Sequence, residues 1–378
     1  MWWYDIFPSG TPARSFIISL KEEGPTVIEK EPDVPATRVT VIIPARNEEK
    51  NIGACLQSLA AQTYPKNLLQ IIVVNDHSTD STAQIVQDFP AENILLVNLA
   101  DHISGSINSY KKKAIEVAIG QASGELIVTT DADCTAPPEW IENMAYVYEN
   151  DSPVFIAGPV RLVPALGKKR NALLYIFQAL DFLSLQGITG SSVHKRFHCM
   201  CNGANLAYNK NVFHIVNGFN GIDAIASGDD MLLMHKIYRE YPNRIAYIKN
   251  KNAIVDTQAA GSWKDFFLQR IRWASKADKY EDKRIAIVLS LVYALNVLIL
   301  LYFLACIFYP ENLYHAFILL GNKTLAEIMF LFPVARFFGM SRLLIWFPLM
   351  QPLHILYVII AGFLGKFGQY TWKGRKVK

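Results

Sequence analysis

The sequence lacks the glycine-rich loops by which many enzymes hold nucleotide phosphates. Neither G-x-G-x-x-G nor G-x-x-x-x-G-K-[ST] occurs in its 378 residues, which excludes the common dinucleotide-binding and P-loop motifs. Strong charge is also missing, because the formal net charge is only +4 and nucleic-acid-binding domains are usually far more basic. We therefore expect no nucleic acid partner. A nucleotide, if bound, must be held by something other than a glycine cradle.

Two further absences bear on the compartment. The five cysteines are an odd number without the spacing of a disulfide framework, which suits a reducing environment. Two histidines and two cysteines in "HKRFHCMC" match the spacing of no common zinc site: His194, His198, Cys199 and Cys201. The opening residues "MWWYDIFPSGTPARSF" lack the long apolar core of a secretory signal. We expect the polar part of the chain to stay in the cytoplasm.

Long apolar runs are present, and they are concentrated at the end of the chain. Residues 285–309 and 343–364 are each long and apolar enough to span a bilayer. Residues 313–338 between them carry several charged or amide side chains, and we expect this segment not to cross fully. Basic residues before the first run and after the second are typical of the cytoplasmic side, so an even number of crossings is expected. A soluble helical hairpin is the alternative.

Ahead of these runs, strand and helix patterns alternate along the chain. The strand patterns cover residues 39–43 and 70–74 and the runs "NILLVNL" and "ELIVTT". Amphipathic helix patterns separate them, for example "SYKKKAIEVAIGQA". Such alternation predicts an α/β fold with a mostly parallel sheet and helices on both faces.

The end of the fourth strand pattern carries two carboxylates. Asp131 and Asp133 follow "ELIVTT" with one alanine between them, and side chains at i and i+2 of an extended segment share a face. Two anions held so close repel each other unless a cation lies beside them. A hard divalent ion, Mg²⁺ or Mn²⁺, prefers oxygen ligands of this kind. A polar turn that closes the strand is the alternative.

Three more polar clusters stand out. "PARNEE" and "VNDHSTDS" each follow a strand, "SGDDMLLMHKIY" opens a helix with Asp229 and Asp230, and "QRIRW" lies in a helix. Helix capping alone accounts for the acids of the loops and for one of the paired acids. A solvated amphipathic helix accounts for the last cluster. Each cluster alone is weak evidence for a function. The order of the clusters along the chain is more specific.

Together these motifs strongly resemble the membrane-anchored family 2 glycosyltransferases of the GT-A type. That group includes cellulose, chitin and hyaluronan synthases and ceramide glucosyltransferase. The resemblance covers residues 38–280 and rests on "VIIPARNEE", "VVNDHSTDST", the D-x-D of "TDADC", "CNGANLAY", "GDD" and the Q-x-x-R-W of "QRIRW". It implies a GT-A nucleotide-sugar-binding fold followed by transmembrane helices.

The resemblance also implies roles for individual residues. Asp133 binds the Mg²⁺ or Mn²⁺ that bridges the donor diphosphate, and Asp230 is the catalytic base, with Asp229 beside it. Gln269, Arg272 and Trp273 close over the diphosphate and the acceptor. Residues that contact the UDP-sugar donor are Pro44, Ala45, Arg46, Glu48, Asp76, Lys111 and Asp131. One base without a protein nucleophile predicts a single displacement that inverts the anomeric carbon.

These implications combine into an expected organisation and function. Residues 1–37 form an N-terminal linker, 38–283 the glycosyltransferase domain and 284–378 a membrane domain with two or three hydrophobic helices and a basic cytoplasmic tail. We expect a multi-pass protein of the cell membrane with its catalytic domain in the cytoplasm. Two or three helices are too few for a polymer channel, so a lipid or lipid-linked acceptor is expected.

Three other interpretations stay open. A processive β-polysaccharide synthase, which adds sugars to a growing glycan, carries the same Q-x-x-R-W motif. A phosphatase of the haloacid dehalogenase type would use Asp131 as nucleophile, but about ninety residues of strand and helix precede it here, and such enzymes usually start with this motif. A membrane-anchored sugar-nucleotide-binding subunit without activity is the third.

Overall fold

The computed structural model describes residues 36–103, 105, 107–164, 171–196, 200–225, 227–275, 283–367, 370–372 and 375–377. It contains two compact units. The sheet unit comprises the described residues up to Arg161 together with Ser192–Thr257, and the helical unit comprises Leu162–Ser191 and the described residues from Gln258 onward. These ranges differ from the expected domains, whose bounds stay a prediction. Residues 1–35 of the N-terminal linker lie outside the described residues, as do two members of the "HKRFHCMC" cluster, His198 and Cys199.

The strands are β1 (Val39–Ala45), β2 (Leu69–Asn75), β3 (Ile94–Asn98), β4 (Leu126–Thr129), β5 (Cys134–Thr135), β6 (Phe155–Ala157), β7 (Val160–Val163), β8 (Leu206–Asn209), β9 (Ile245–Tyr247), β10 (Val255–Gln258), β11 (Tyr370–Trp372) and β12 (Arg375–Val377). Seven of them form one sheet in the order β3-β2-β1-β4-β8-β6-β9. All pairs in it are parallel except β4–β8 and β8–β6. A smaller sheet has the order β5-β10-β7, and β11 and β12 pair with each other.

The helices are α1 (Ile52–Ala60), α2 (Thr82–Gln87), α3 (Tyr110–Gln121), α4 (Trp140–Asp151), α5 (Ala172–Lys195), α6 (Lys210–Ile215), α7 (Met231–Glu240), α8 (Trp263–Ala274), α9 (Lys283–Ala305), α10 (Asn312–Phe337) and α11 (Phe347–Phe367). Ser262 caps α8, because its hydroxyl accepts a hydrogen bond from the backbone N–H of Asp265.

The central strands are buried on both faces. Neighbouring residues of β1, such as Val41 and Ile42, point to opposite faces, and both are fully buried. One face packs against α3 through Ala114, Ile115 and neighbouring apolar residues. Near-continuous apolar strands of this kind are typical of parallel sheets covered by helices on both sides. The predicted α/β fold with a mostly parallel sheet is therefore confirmed.

The apolar run "PVFIAGPV" is divided between two sheets. It forms β6 and β7, separated by Gly158 and Pro159. A Cβ atom on residue 158 would lie 2.4 Å from the side chain of Asn205. Glycine therefore permits the close approach at which the chain leaves the main sheet.

The helical unit contains the apolar runs. Four stretches of described residues are long and apolar enough to cross a membrane: Ala172–Lys195, Lys283–Ala305, Asn312–Phe337 and Ser341–Lys366. The third is the segment that we expected not to cross, and it forms one continuous helix, α10. Many large apolar side chains of α9 are exposed, for example Leu291 at 66%, and an apolar surface of this kind suits contact with lipid.

Candidate active site

The predicted donor-side residues meet at the carboxyl edge of the sheet. The last residues of β1 and β2, Ala45 and Asn75, are directly paired, and β4 ends beside β1 at Thr129. The loops that carry Arg46 and Asp76, and the acids after β4, therefore start from the same edge. This edge of a parallel sheet is where open α/β folds bind ligands.

Hydrogen bonds join the first two loops. Arg46, which follows Pro44 and Ala45 at the end of β1, donates from Nη1 to the carbonyl oxygen of Asp76 at 3.0 Å. Asp76 is a buried residue with 4% exposure, and its Oδ1 atom lies 3.0 Å from Nδ1 of His77. The backbone N–H of Glu48 donates to the hydroxyl of Thr82 at 2.7 Å. The structure thus brings all five predicted residues of these loops together.

Asp80 of the second loop has a structural role. Burial raises the pKa of its carboxyl, but hydrogen bonds from the Thr82 hydroxyl and from backbone N–H groups, including those of Glu49 and Thr82, outweigh this and lower the pKa. One oxygen accepts from the N–H of Glu49 at 3.1 Å. Asp80 therefore fixes the two loops to each other, in keeping with the capping interpretation of this acid.

A turn brings Asp131 and Asp133 together. β4 already ends at Thr129, and the N–H of Cys134 donates to the carbonyl oxygen of Asp131 at 3.1 Å. The sequence argument from alternation along a strand is therefore wrong about the cause, because the backbone bends here. The ligand atoms of the two carboxylates and of Cys134 nevertheless lie within 4.8 Å of one another.

The chemistry of this group fits a hard divalent cation. Both aspartates are partly exposed, and carboxylate oxygens are the ligands that Mg²⁺ and Mn²⁺ prefer. Burial, together with the charges of Asp133 and Asp131, raises the pKa of the Cys134 thiol well above its usual value. Such an ion prefers oxygen to sulfur ligands, so within this group the two carboxylates are the residues suited to hold it.

Lys111 of α3 links the acids after β4 to the acids before α7. Its Nζ atom lies 2.7 Å from Oδ1 of Asp131 and 2.9 Å from Oδ2 of Asp229. Burial acts to lower the pKa of Lys111, but the charges of Asp131 and Asp229 outweigh it and raise the pKa well above its usual value. The side chain is therefore a fixed cation between two of the predicted clusters.

Asp230 is held in place by two backbone donors. It is the N-cap of α7, and its Oδ1 accepts from the N–H of Met231 at 2.7 Å. Its Oδ2 accepts from the N–H of Gly203 at 3.1 Å. Each carboxylate oxygen can accept a second hydrogen bond. Capping and a chemical role are therefore compatible in the same residue.

Two residues of the motif "CNGANLAY" pack against the site or the strands beside it. A Cβ atom on residue 203 would lie 3.2 Å from Nζ of Lys111 and 3.3 Å from Oδ2 of Asp229. Asn205 is fully buried and donates to the carbonyl oxygens of Pro159 and Ala253, while its Oδ1 accepts from the indole N–H of Trp140. The sequence argument gave these residues no role, although a fully buried asparagine is usually a hydrogen-bonding centre.

The Q-x-x-R-W residues Gln269, Arg272 and Trp273 lie on α8 of the helical unit. Arg270, inside the motif, is the buried member at 3% exposure. It donates from Nη1 to Oε1 of Gln269 at 2.8 Å, and its guanidinium carbon lies 4.2 Å from the ring centroid of Trp273. Its Nε and Nη2 bond Oδ2 of Asp181 at 2.8 and 2.7 Å. Sequence reasoning missed Arg270 and Asp181; an acid in the apolar run of α5 was the available signal.

Residues 40–213 match the profile of a family described as "Glycosyl transferase family 2". The chain therefore carries a family 2 glycosyl transferase domain. The family and the enzyme class predicted from the motifs are confirmed for this domain.

Two curated proteins named glycosyltransferases and one solved structure are similar to this chain. The probable glycosyltransferase YdaM of Bacillus subtilis (strain 168) is 27% identical over 245 residues, 63% of this chain and 54% of YdaM. The 4,4'-diaponeurosporenoate glycosyltransferase of Staphylococcus aureus (strain USA300) is 38% identical over 97 residues, 26% of this chain and 24% of that protein. The crystal structure of S. aureus TarS 1-349 in complex with UDP aligns with a TM-score of 0.44 and 18% identity over 90% of this chain and 95% of that chain. The chain spans about half or less of the length of these curated relatives.

Proposed function

We propose that the protein transfers a sugar from a UDP-sugar to a lipid or lipid-linked acceptor, with inversion at the anomeric carbon and with a divalent metal ion. The observation that carries the proposal is the contact of Lys111 with both Asp131 and Asp229, next to the fixed carboxylate of Asp230. An acidic donor-side cluster and an acidic acceptor-side cluster thereby share one cation. Such an arrangement serves a reaction in which a diphosphate leaves and a hydroxyl attacks.

On the donor side, Asp133 and Asp131 would hold Mg²⁺ or Mn²⁺. The bound ion would neutralise charge on the departing diphosphate. The loop from Pro44 to Glu48 and Asp76 would contact the uridine, since hydrogen bonds already fix them at the same sheet edge. Lys111 adds a positive charge beside the place where the leaving group gains negative charge.

On the acceptor side, Asp230 would act as general base. The acceptor oxygen forms a bond to the anomeric carbon, the bond from that carbon to the diphosphate oxygen breaks, and the hydroxyl proton passes to the Asp230 carboxylate. Asp229 is paired with Lys111, so the negative charge next to Asp230 is balanced by the ammonium of Lys111. One displacement without a protein nucleophile converts an α-linked UDP-sugar into a β-linked product.

The apolar helices support a membrane acceptor. Three of the four stretches able to cross a membrane follow α8, which carries Gln269, Arg272 and Trp273. We place the catalytic domain on the cytoplasmic side of the cell membrane, because UDP-sugars and a reducing environment are found there. The names of relatives give different acceptors, among them 4,4'-diaponeurosporenoate and poly(ribitol-phosphate). The acceptor proposal therefore rests on the helices of this chain.

The test is incubation of membranes containing the protein with a panel of radiolabelled UDP-sugars. We expect one sugar to be transferred to material that partitions into the lipid phase, with loss of transfer in EDTA and recovery with Mg²⁺ or Mn²⁺. Asp133→Ala and Asp230→Asn should each lower the rate at least about a hundredfold, whereas Asp88→Asn, a change at the exposed end of α2, should not. High-mass polymer would favour a processive synthase instead. Equal background UDP release in the wild type and in Asp230→Asn would favour a binding subunit.

A further inference from the structure

A lysine ammonium is buried beside the acceptor-side acids. Lys112 of α3 is 1% exposed. Its Nζ atom donates to the carbonyl oxygens of Ile222 and Ile225, both at 2.6 Å, and of Ser227 at 3.0 Å. Three acceptors match the three N–H donors of an ammonium group. A buried charge is costly unless it is fully hydrogen-bonded, so this contact is specific.

The three carbonyl groups belong to the connection between α6 and α7. This connection ends in Asp229 and Asp230, two and three residues after Ser227. Described residues 222–225 and 227–230 contain no strand or helix, so backbone ladders do not fix their path. Lys112 bonds the connection just before the position where the two acids must be placed.

Adjacent lysines on α3 hold the same acids in two ways. Lys111 pairs with the carboxylate of Asp229 at 2.9 Å, and Lys112 binds the backbone that leads to it. On the basis of the function proposed above, we propose that Lys112 is a positioning residue, which sets the place of Asp229 and Asp230 through the carbonyl groups of residues 222, 225 and 227. It touches neither donor nor acceptor.

The chain offers a matched control for this proposal. Lys236 of α7 also donates to two carbonyl oxygens of the same connection, those of Gly218 at 2.7 Å and Asn220 at 2.9 Å. These carbonyls lie nearer to α6, at least nine residues before Asp229. Substitution of either lysine by methionine removes lysine-to-carbonyl bonds from the connection. Only the change at Lys112 removes those next to the acids.

The experiment compares the wild type, Lys112→Met, Lys112→Gln and Lys236→Met in the full chain. Hydrogen exchange is followed at Gly203 and Met231, because their N–H groups donate to the carboxylate of Asp230. We expect faster exchange at both amides in the Lys112 variants and wild-type exchange in Lys236→Met.

For sugar transfer by the Lys112 variants we expect kcat to fall about tenfold to a hundredfold. The KM for the UDP-sugar should stay within about twofold, as for a misplaced catalytic group. Lys112→Gln, which keeps two donors, should show the smaller loss and also serves if the methionine variant does not fold.

Two results would overturn the proposal. Exchange at Gly203 and Met231 that is unchanged in Lys112→Gln or Lys112→Met would show that the acids keep their place without the ammonium. Equal changes in the Lys112 and Lys236 variants would show that both lysines merely stabilise the fold. If the wild type transfers no sugar from any donor, the proposed function fails, whereas the exchange comparison still decides whether Lys112 positions the acids.

Discussion

The ion pair between Arg270 and Asp181 gives the sharpest stability prediction. It joins α8 to α5 inside the helical unit, and the two side chains are only 3% and 8% exposed. We expect Asp181→Leu to destabilise the protein strongly, because it leaves the Arg270 guanidinium buried without its carboxylate. The double variant Asp181→Leu/Arg270→Met should recover most of the loss.

The magnitude follows from burial. Removal of one partner from a buried pair costs about 3–5 kcal/mol, whereas replacement of both partners by apolar residues is often neutral or stabilising. The double variant gives up the contact of Arg270 with the Trp273 ring at 4.2 Å, a loss of about 1–2 kcal/mol for a desolvated cation–π contact. We therefore expect a coupling free energy of at least about 2 kcal/mol between the two changes.

The assay is denaturant unfolding of the protein in detergent micelles, followed by tryptophan fluorescence. Trp263 and Trp273 lie on α8 and report on this part of the helical unit. A matched control is Asp256→Leu in the sheet unit, which breaks the pair with Arg161. That pair is 37% and 25% exposed, so its loss should cost only about 0.2–1 kcal/mol.

If Asp181→Leu lowers the free energy of unfolding by no more than Asp256→Leu does, burial does not determine the strength of these ion pairs. The predicted coupling is wrong if the double variant is as unstable as the sum of its single variants, since the two charges would then act independently. An outcome near 3–5 kcal/mol for the single change, with recovery in the double, would assign the pair a role in fixing α8 and with it the Q-x-x-R-W residues.

Three further predictions concern the sheet unit. The pKa of Asp80 is lowered in the folded protein. Its stabilising contribution is therefore full above about pH 3.9 and is lost as the pH falls through the lower folded value. In Asp80→Asn, the free energy of unfolding should depend less on pH in this acid range. Burial raises the pKa of the Cys55 and Cys134 thiols, so iodoacetamide at pH 8 should leave both unmodified until the protein is unfolded, as mass spectrometry can check. Gly158→Ala would press a methyl group against Asn205 at 2.4 Å and should lower the free energy of unfolding by at least about 2 kcal/mol, measured by urea titration.

The parts of the fold that sequence could predict have a local pattern. β1 and β2 are short apolar runs bounded by polar loops, and α1 repeats apolar residues at helical spacing. Backbone geometry ties such patterns to strands and helices whatever the rest of the chain does. The closeness of the acids after β4 was also expected, although a turn after the strand, and not alternation along it, brings them together.

What sequence could not predict depends on direction or on long-range partners. The run Lys111, Lys112 and Lys113 reads as three equal cations, yet successive residues of a helix point about 100° apart. Lys111 therefore reaches the acids, Lys112 is buried, and Lys113 pairs with Glu116 on the surface at 2.9 Å. Asp181 and Arg270 lie 89 positions apart, so no local pattern could have joined them.

The charges of the proposed site bear on the order in which ligands bind. Counted as ionised side chains, the carboxylates of Asp131, Asp133, Asp229 and Asp230 bring four negative charges against the positive charge of Lys111. A UDP-sugar brings two more negative charges on its diphosphate, and like charges at this distance repel. A bound divalent cation would reduce the charge of the group from −3 to −1. For the function proposed above, the electrostatics of these five side chains would therefore favour entry of the donor together with its metal ion.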